Sequence, residues 1–589
     1  MKQFFKMSFA VVCGLCIWGF LKLLILLGLL GSAVSSGTTS HVSAKPHSVY
    51  ELELRGTVVE YQDQNDRMQA SMMQAFDNDD YAIFGLNDIL ANIREAKNNP
   101  NIDGIYLHGG TMQMGYATAR TLREALEDFR SSGKFVIAYA DSYGQCNYYT
   151  ATAADSLFIN QIGSLTWGGL GANVTFYTKL LEKVGVEMQV VKVGTFKSAV
   201  EPFMLTEMSA PNRLQYTTLL DDIWGQVRSD VAYSRNLDAE TLDALANRNM
   251  LLQPQSDYLT AGLVDGLCYP QDIDAKLTQL TGTSKYELLD YHDMLGVRTT
   301  KPSFAKKIAV LYAEGDITDT SGDGIVGKKM VETIDDLADD DDIEAVVLRI
   351  NSGGGSAYAS EQIHHALGLL KTQKPLVVSM SNYAASGGYY IACNADYIFA
   401  EPTTLTGSIG IFGIIPNVGQ LQDKVGISVD GVQTHEHANF ESDIVVRGMN
   451  AEEREMMQAE INRGYDLFTR RCAEGRGMTQ DEIKAIGEGR VWSGIRAKEI
   501  GLVDELGSLN SAICKAAELA RLDKYQVTEY PEPEDLWKKL VESLQKSNGV
   551  QAFVERTIGT EQYRNLRYME GLAERPSIQA RIPYFIDIH

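Results

Sequence analysis

The chain contains two copies of one sequence pattern, and this repeat constrains its fold more than any other feature. Four pairs of segments match: 102–110 with 343–351, 154–159 with 395–400, 184–186 with 425–427, and 262–265 with 501–504. The offset is 241 residues for the first three pairs and 239 for the last. A nearly constant offset over such a long stretch indicates a tandem duplication, so two related units are expected.

Each copy alternates short apolar runs with amphipathic segments. In the second copy, the runs 307–312, 345–350 and 375–380 are predicted strands, and 326–337 and 360–370 are predicted helices. This alternation is typical of a parallel sheet covered by helices on both faces. The predicted fold is therefore α/β, with two tandem units.

The N-terminus has a different composition. Residues 8–30 are almost entirely apolar, and about 20 such residues span a bilayer core. Lys2 and Lys6 precede the run, which favours a cytoplasmic N-terminus and an exported body. A cleaved signal peptide is the alternative, because the small residues at 31–36 offer a cleavage site. We expect an uncleaved anchor.

Four regions are predicted from these patterns. They are a cytoplasmic stub and transmembrane anchor over 1–36, a first repeat over 45–300, a second repeat over 303–530, and a C-terminal tail of unknown role over 531–589.

Charge and cysteine content exclude several classes of function. The formal net charge of −24 argues against a nucleic-acid partner, which favours a basic surface. Cys13 and Cys16 lie inside the apolar run, and the other five cysteines are scattered, so neither a disulfide framework nor a metal site is predicted. The segment 435–437, His-Glu-His, offers two ligands without a third, so we expect no metal and no cofactor.

Ser408 is the predicted nucleophile. It lies in the segment 404–411, where glycines on both sides allow a tight turn and a close approach of another backbone. The matching segment of the first copy, 166–171, carries Gly169 at the position assigned to the serine. Ser386, in the small-residue turn 384–390, is the competing candidate.

A serine hydroxyl needs a base to accept its proton, and Lys197 is the predicted base. It lies among small and apolar residues, where burial lowers the pKa of a lysine and leaves a neutral amine. At the repeat offset, the second copy carries Ala438 instead. Because each copy lacks what the other retains, we predict one composite site built from both repeats.

Backbone donors for an oxyanion are predicted at Gly353 and Gly354. They belong to the glycine-rich turn 351–356, which follows a predicted buried strand and precedes a helix. The turn lacks the Lys-Ser/Thr of a P-loop, so a nucleotide site is not expected.

Three motifs together resemble the signal peptide peptidase A (protease IV) family in its long tandem-repeat form. They are Thr-Gly-Ser-Ile-Gly at 406–410, Ala-Ser-Gly-Gly-Tyr-Tyr at 385–390, and Phe-Lys-Ser-Ala-Val-Glu-Pro at 196–202. The resemblance implies a fold shared with Clp protease and crotonase. It also implies a membrane-anchored serine endopeptidase with a Ser-Lys dyad, in which Ser408 is the nucleophile and Lys197 the general base.

The same resemblance implies the setting of the enzyme. Its catalytic body would face the periplasm from the inner membrane, degrade cleaved signal peptides and similar apolar peptides, and assemble as a homotetramer. Two alternatives are a catalytically inactive envelope scaffold and a crotonase-like acyl-CoA enzyme. The residues that orient Lys197, and whether it meets the serine of its own chain or of a neighbour, are left open.

Overall fold

The computed structural model describes residues 42–67, 82–297, 306–320, 322, 324–532 and 578–581. The predicted anchor lies outside these residues. Within the ranges described, no helix is both long enough and apolar enough to cross a membrane.

A parallel sheet of six strands forms the core of the first repeat. In spatial order its strands are Gly266–Leu267, Ser156–Leu165, Phe135–Tyr143, Ile102–His108, Ser48–Glu53 and Glu287–Leu289. Its described α-helices are Leu86–Asn98, Tyr116–Arg130, Gln145–Ala151, Thr178–Val184, Glu201–Met204, Ala210–Arg235, Ala239–Asn247, Gln255–Thr260, Pro270–Thr281 and Tyr291–Val297.

The second repeat has an equivalent sheet. Its main path is Val491–Ser493, Leu405–Gly407, Leu376–Ala385, Ile343–Ser352, Lys307–Glu314 and Gln526–Tyr530, and Tyr397–Ala400 with Glu505–Leu506 branches from it. Only the pairing of the edge strand Val491–Ser493 is antiparallel. Its described helices are Gly327–Asp339, Ala357–Lys371, Gly387–Ala392, Gly419–Val425, Phe440–Val446, Ala451–Arg476, Gln480–Ile486, Gly494–Glu499 and Leu509–Leu519.

Both faces of the second sheet are buried. Along its strand Lys307–Glu314, Ile308 and Val310 pack with the helix Leu509–Leu519, whereas Ala309 and Leu311 belong to the larger cluster on the opposite face. Successive side chains of a strand point to opposite faces, which explains why its sequence is continuously apolar. The predicted α/β architecture, two parallel sheets with helices, is confirmed.

A third sheet joins the two repeats. Its strands in order are Ile325–Val326, Ile317–Thr318, Gly354–Ser356, Ile578–Arg581, Phe412–Asn417 and Glu187–Lys192. The last two come from different repeats and pair antiparallel over their full length. Ile578–Arg581, from the C-terminal tail, lies between two strands of the second repeat. A separate pair, Thr57–Val59 with Ile83–Gly85, completes the described strands.

Buried ion pairs also cross between the repeats. Arg349, fully buried, donates from Nε to Glu60 Oε2 at 2.8 Å. Arg120 donates from Nη1 to Glu401 Oε2 at 2.8 Å, and Glu401 is fully buried. Each repeat thus supplies one carboxylate that is neutralised by an arginine of the other, and removing either arginine would leave a buried charge without its partner.

Candidate active site

Two serines lie side by side at the carboxyl edge of the second sheet. Ser386 follows the strand Leu376–Ala385, and Ser408 follows the neighbouring strand Leu405–Gly407. The strands are in register at Ala385 and Gly407, and the backbone N–H of Ser386 donates to the Gly407 carbonyl at 2.7 Å. Parallel register therefore brings together the two serines that the sequence offered as alternatives.

Lys197 reaches this edge from the first repeat. The strand Glu187–Lys192 ends shortly before it, and the partner strand Phe412–Asn417 begins shortly after Ser408. Because the pairing is antiparallel, with Lys192 opposite Phe412, the chain leaving one strand meets the chain entering the other. Lys197 and Ser408, predicted to form one site from two repeats, are in contact within one chain.

The amine of Lys197 has three hydrogen-bond partners. Nζ lies 2.7 Å from Ser386 Oγ, 3.0 Å from Ser408 Oγ and 3.1 Å from the Ser408 carbonyl oxygen. Ser408 Oγ itself donates to the Gly489 carbonyl at 3.2 Å, so its hydrogen is directed away from the lysine. A neutral amine has two hydrogens and one lone pair. Nζ is placed as the donor in all three contacts, so in the neutral amine one of the two hydroxyls must donate to the lone pair instead. The Ser408 hydroxyl already donates to Gly489, which leaves Ser386 for this role.

Burial sets the protonation of the lysine. Lys197, Ser386 and Ser408 are all fully buried. Removal of the ammonium from water lowers the pKa of Lys197 well below the ordinary 10.5. The site therefore favours the neutral amine, which is the form that can accept a proton.

Two glycines make room for the lysine. A Cβ on Gly489 would lie 2.6 Å from Lys197 Cβ, and one on Gly410 would lie 3.3 Å from Lys197 Cδ. Gly489 also has a φ of +76° and supplies the carbonyl that accepts from Ser408. Gly489 was not predicted from the sequence. Two glycines, at 487 and 489, could have drawn attention to this position. From the sequence alone, however, they cannot be distinguished from the glycines of an ordinary turn.

Hydrogen bonds hold the loop that carries Lys197 against the second repeat. Gln215 donates from Nε2 to Ser198 Oγ at 3.4 Å and accepts from the Val491 N–H at 2.8 Å. The backbone N–H of Phe196 donates to the Glu488 carbonyl at 2.9 Å. These contacts bridge the repeats directly beside Lys197 and fix its position.

Ser386 occupies a strained turn. Its φ of 55° and ψ of −114° are unusual for a residue with a side chain, and it immediately precedes the helix Gly387–Ala392. A Cβ on Gly354, at φ +97°, would lie 2.6 Å from the Gly387 nitrogen, so the glycine-rich turn approaches the serine turn closely.

The predicted oxyanion glycines lie in this turn. The N–H of Gly354 donates to Ser352 Oγ at 3.1 Å and is therefore already engaged. Gly353 precedes it and is half-buried. Gly387 was not predicted as a donor, although it follows Ser386 directly in the quoted motif.

The first repeat has no serine at the equivalent positions. Its strands pair Tyr143 with Leu165, as the second repeat pairs Ala384 with Thr406. By this register, Trp167 is the residue of the first repeat that is equivalent to Ser408. The predicted equivalent, Gly169, is therefore wrong by two residues. At the same offset Gln145 stands in place of Ser386, and its Oε1 accepts from the Gly168 N–H at 2.9 Å. The corresponding edge of the first repeat therefore has no serine nucleophile at either position.

The His-Glu-His segment approaches one further acidic side chain. Glu436 and His437 approach Glu452, with possible ligand atoms within 4.8 Å of one another. Both glutamates are exposed, and such clusters are common without an ion, so they do not define a metal site.

The model of peptidase family S49 matches residues 128–284 and 368–523, one match in each repeat. Protease 4 of Salmonella typhi is 34% identical over 543 residues, covering 89% of this chain and 87% of that protein. Protease 4 of Haemophilus influenzae is 33% identical over 542 residues, covering 88% of this chain and 87% of that protein. The chloroplastic serine protease SPPA of Arabidopsis thaliana is 30% identical over 443 residues, covering 73% of this chain and 65% of that protein.

Among solved structures, a mutant of ClpP1 from Listeria monocytogenes covers 35% of this chain and 94% of its own at 18% identity, with a TM-score of 0.24. The family match and the protease relatives decide against both the inactive scaffold and the acyl-CoA enzyme. With two tandem S49 repeats and relatives of this similarity over most of its length, the chain belongs to peptidase family S49 and is a serine peptidase.

Proposed function

We propose that this peptidase uses a Ser-Lys dyad in which Ser386 is the nucleophile, Lys197 the general base and Ser408 the residue that positions the lysine. One observation carries the proposal. The buried Lys197 amine lies 2.7 Å from Ser386 Oγ while both oxygens of Ser408 hold its other side. An amine kept neutral by burial and aimed at a hydroxyl is the arrangement that activates a serine.

The sequence motif favours Ser408 as the nucleophile. The hydrogen bond from the Ser408 hydroxyl to the Gly489 carbonyl is the reason to exchange the roles. The Ser408 hydroxyl hydrogen is used by Gly489, and the Ser408 oxygens accept from the lysine. Ser386 makes the shorter contact with Nζ. Both serines have a positive φ, 55° for Ser386 and 49° for Ser408, so backbone strain does not separate them. Ser408 remains the alternative nucleophile that the labelling experiment below tests.

The proposed reaction is acyl transfer to Ser386. Lys197 Nζ accepts the hydroxyl proton as Oγ attacks the carbonyl carbon of a peptide bond. The resulting ammonium returns the proton to the leaving amine, and a water molecule, deprotonated by the same lysine, then hydrolyses the acyl-enzyme. The oxyanion is held by backbone N–H groups, since donors aimed at developing charge contribute strongly in a site that excludes water.

We assign the oxyanion donors to Gly353 and Gly387. The N–H of Gly387 is the first of its helix and has no acceptor within that helix. The N–H of Gly354 is engaged by Ser352, so the role of Gly354 is to let the two turns approach.

The substrate and setting follow the family resemblance. We propose cleaved signal peptides and similar apolar peptides as substrates, with the body facing the periplasm from the inner membrane and assembled as a homotetramer. The apolar run 8–30 after Lys2 and Lys6 supports the anchor. The depth of the site supports extended, unfolded substrates, because no folded protein surface reaches a fully buried nucleophile.

Labelling with a serine-directed acylating or phosphonylating reagent tests the assignment. Peptide mapping by mass spectrometry should place the adduct on Ser386, and the Lys197→Met variant should label far more slowly. An adduct on Ser408 instead would restore the original assignment. No adduct on either serine, in a folded protein that hydrolyses no peptide, would refute the dyad.

A further inference from the structure

The strand Leu376–Ala385, which leads directly to Ser386, contains a bulge. Its pairing with the neighbouring strand Ile343–Ser352 shifts register near the end, where three residues, 381–383, lie opposite residue 351 alone. A bulge interrupts the ladder of backbone hydrogen bonds and changes the direction of the strand beyond it. The position of the Ser386 hydroxyl therefore depends on the contacts that hold the bulge 381–383.

The first repeat supplies partners for two residues of the bulge. Ser381, fully buried, donates from Oγ to Glu60 Oε1. Asn382 contacts Thr118 in both directions: its Oδ1 accepts from the Thr118 N–H at 3.3 Å, and its Nδ2 donates to Thr118 Oγ1 at 2.7 Å. A Cβ on Gly115 would lie 2.1 Å from Asn382 Oδ1, so the first repeat fits closely around this amide. These contacts hold the bulge against the other repeat.

The third residue of the bulge is held through two side chains of the second repeat. The N–H of Tyr383 donates to Asn351 Oδ1 at 3.2 Å, and Asn351 Nδ2 donates to Glu314 Oε1 at 3.3 Å. The other oxygen of Glu314 accepts from the Glu60 N–H at 3.0 Å. Glu60 of the first repeat therefore contacts the bulge directly and also supports it through Asn351, which lies two residues before Gly353.

A short paired stretch connects the bulge to Ser386. Residues 383–385 pair with Leu405–Gly407, and the N–H of Ser386 donates to the Gly407 carbonyl at 2.7 Å. Because no loop separates the bulge from the serine, a displacement of the bulge displaces the serine as well. A misplacement of about 1 Å at a reacting group can lower a rate by about 100-fold.

The matching positions of the first repeat are built differently. At the offset of 241 residues, Ala140 and Asp141 stand in place of Ser381 and Asn382. Alanine has no hydroxyl to donate, and Asp141 accepts from two side chains of its own repeat. The contacts between repeats are thus made by the strand that carries the proposed nucleophile.

We propose that Glu60 and Thr118 of the first repeat are positioning residues for the nucleophile and act through the bulge 381–383; this rests on the proposed role of Ser386. The first repeat then does more than supply Lys197. It also fixes the place of the hydroxyl that Lys197 activates.

Thr118→Val tests the proposal, because it keeps the shape of the side chain and removes the hydroxyl that accepts from Asn382. For a fluorogenic peptide, kcat should fall about tenfold with KM unchanged, since the position of the nucleophile affects the transition state and not peptide binding. Thr118→Ser keeps the hydroxyl and should retain the wild-type kcat. An unchanged kcat in Thr118→Val, or a change confined to KM, would overturn the proposal.

The same substitution elsewhere is the matched control. The hydroxyl of Thr333 donates to a carbonyl of its own helix, Gly327–Asp339, so Thr333→Val should equal the wild type in kcat and KM. All values are expressed per site titrated with a phosphonylating reagent, so that unfolded molecules do not contribute.

A double-mutant cycle shows whether Thr118 acts through Asn382. Thr118→Val combined with Asn382→Ala should lower kcat no further than the more damaging single change, because both remove the same contact. Two losses that multiply would mean independent effects and would overturn the action through the bulge. Ser381→Ala removes the contact with Glu60 and should also lower kcat with KM unchanged; a wild-type kcat would exclude Glu60 as a positioning residue.

Ser386→Ala separates this inference from the proposed function. If Ser386→Ala is inactive and Thr118→Val equals the wild type, the inference is wrong and the proposed nucleophile stands. If Ser386→Ala retains the wild-type kcat, the proposed nucleophile is wrong and the inference is wrong with it.

Discussion

Lys197 of the first repeat lies 2.7 Å, from Nζ to Oγ, from Ser386 of the second repeat. The antiparallel pairing of Glu187–Lys192 with Phe412–Asn417 produces this contact. Neither repeat holds both groups, so the pairing of the two repeats is itself the structural requirement for the site.

The first prediction concerns the three polar side chains. Ser386→Ala and Lys197→Met should each lower kcat by about 10⁴-fold or more, since a nucleophile and its base act as a unit. Ser408→Ala should lower it by about 10–100-fold, the usual effect of losing a positioning contact. Steady-state hydrolysis of a fluorogenic peptide measures all three.

Controls distinguish these effects from misfolding. Ser132→Ala, at an exposed position, should match the wild type in kcat and in thermal unfolding. For Ser408→Ala the midpoint of the pH profile should move, which loss of a purely structural contact would not cause. A loss of activity in Ser408→Ala as large as that in Ser386→Ala would contradict the proposed roles.

The second prediction is the direction of the pH dependence. Activity should rise as pH increases through the pKa of Lys197, with a midpoint well below the ordinary lysine value of 10.5, because burial favours the neutral base. A profile of kcat/KM against pH measures this directly. A profile that falls with pH across the neutral range would be inconsistent with a lysine base.

The free energy of unfolding should also depend on pH through Lys197. A lowered pKa means that the folded protein binds fewer protons than the unfolded chain, so this group makes the free energy of unfolding rise with pH up to 10.5. Denaturant unfolding at several pH values should show that this contribution is missing in Lys197→Met.

The third prediction concerns Glu314, near the buried Glu60. Burial, and then the charge of Glu60, raise the pKa of Glu314 from 4.5 to about 7. The folded state therefore binds more protons than the unfolded state between these values, and the free energy of unfolding should fall by about 2 kcal/mol as pH rises from 4.5 to 7. Glu314→Gln should flatten this slope in denaturant titrations, whereas an unchanged slope would exclude Glu314 as its source.

The fourth prediction concerns the ion pair between Arg120 and the buried Glu401. Arg120→Ala leaves that carboxylate without its charge partner and should destabilise the protein by about 3 kcal/mol. Arg130→Ala, at the end of the same helix, breaks a half-exposed pair with Asp155 and should cost less than about 1 kcal/mol. Chemical denaturation of both variants gives the comparison; equal losses would argue against a special cost of burial.

The repeat made the architecture predictable. Apolar runs predicted the strands Lys307–Glu314, Ile343–Ser352 and Leu376–Ala385 closely, because strands covered on both faces are continuously apolar. Lys197 was predictable because its counterpart in the other copy is alanine, so the asymmetry between copies signalled a shared site.

Other features depended on geometry that residue types do not encode. The direction of the Ser408 hydrogen bond to Gly489 separates the two serines, and it depends on a loop far away in sequence. The strand Ile578–Arg581 is short and carries no periodic pattern, so its place between two sheet edges could not be predicted. Trp167 was misaligned because glycine-rich segments match one another at several offsets.

The asymmetry of the two repeats also sets a stoichiometry. Gln145 and Trp167 stand where the second repeat has Ser386 and Ser408, and Ala438 stands where the first has Lys197. The duplication therefore gives the chain two similar sheets but only one group of serine and lysine side chains at this edge. Titration with an irreversible inhibitor should therefore end at a single equivalent per polypeptide.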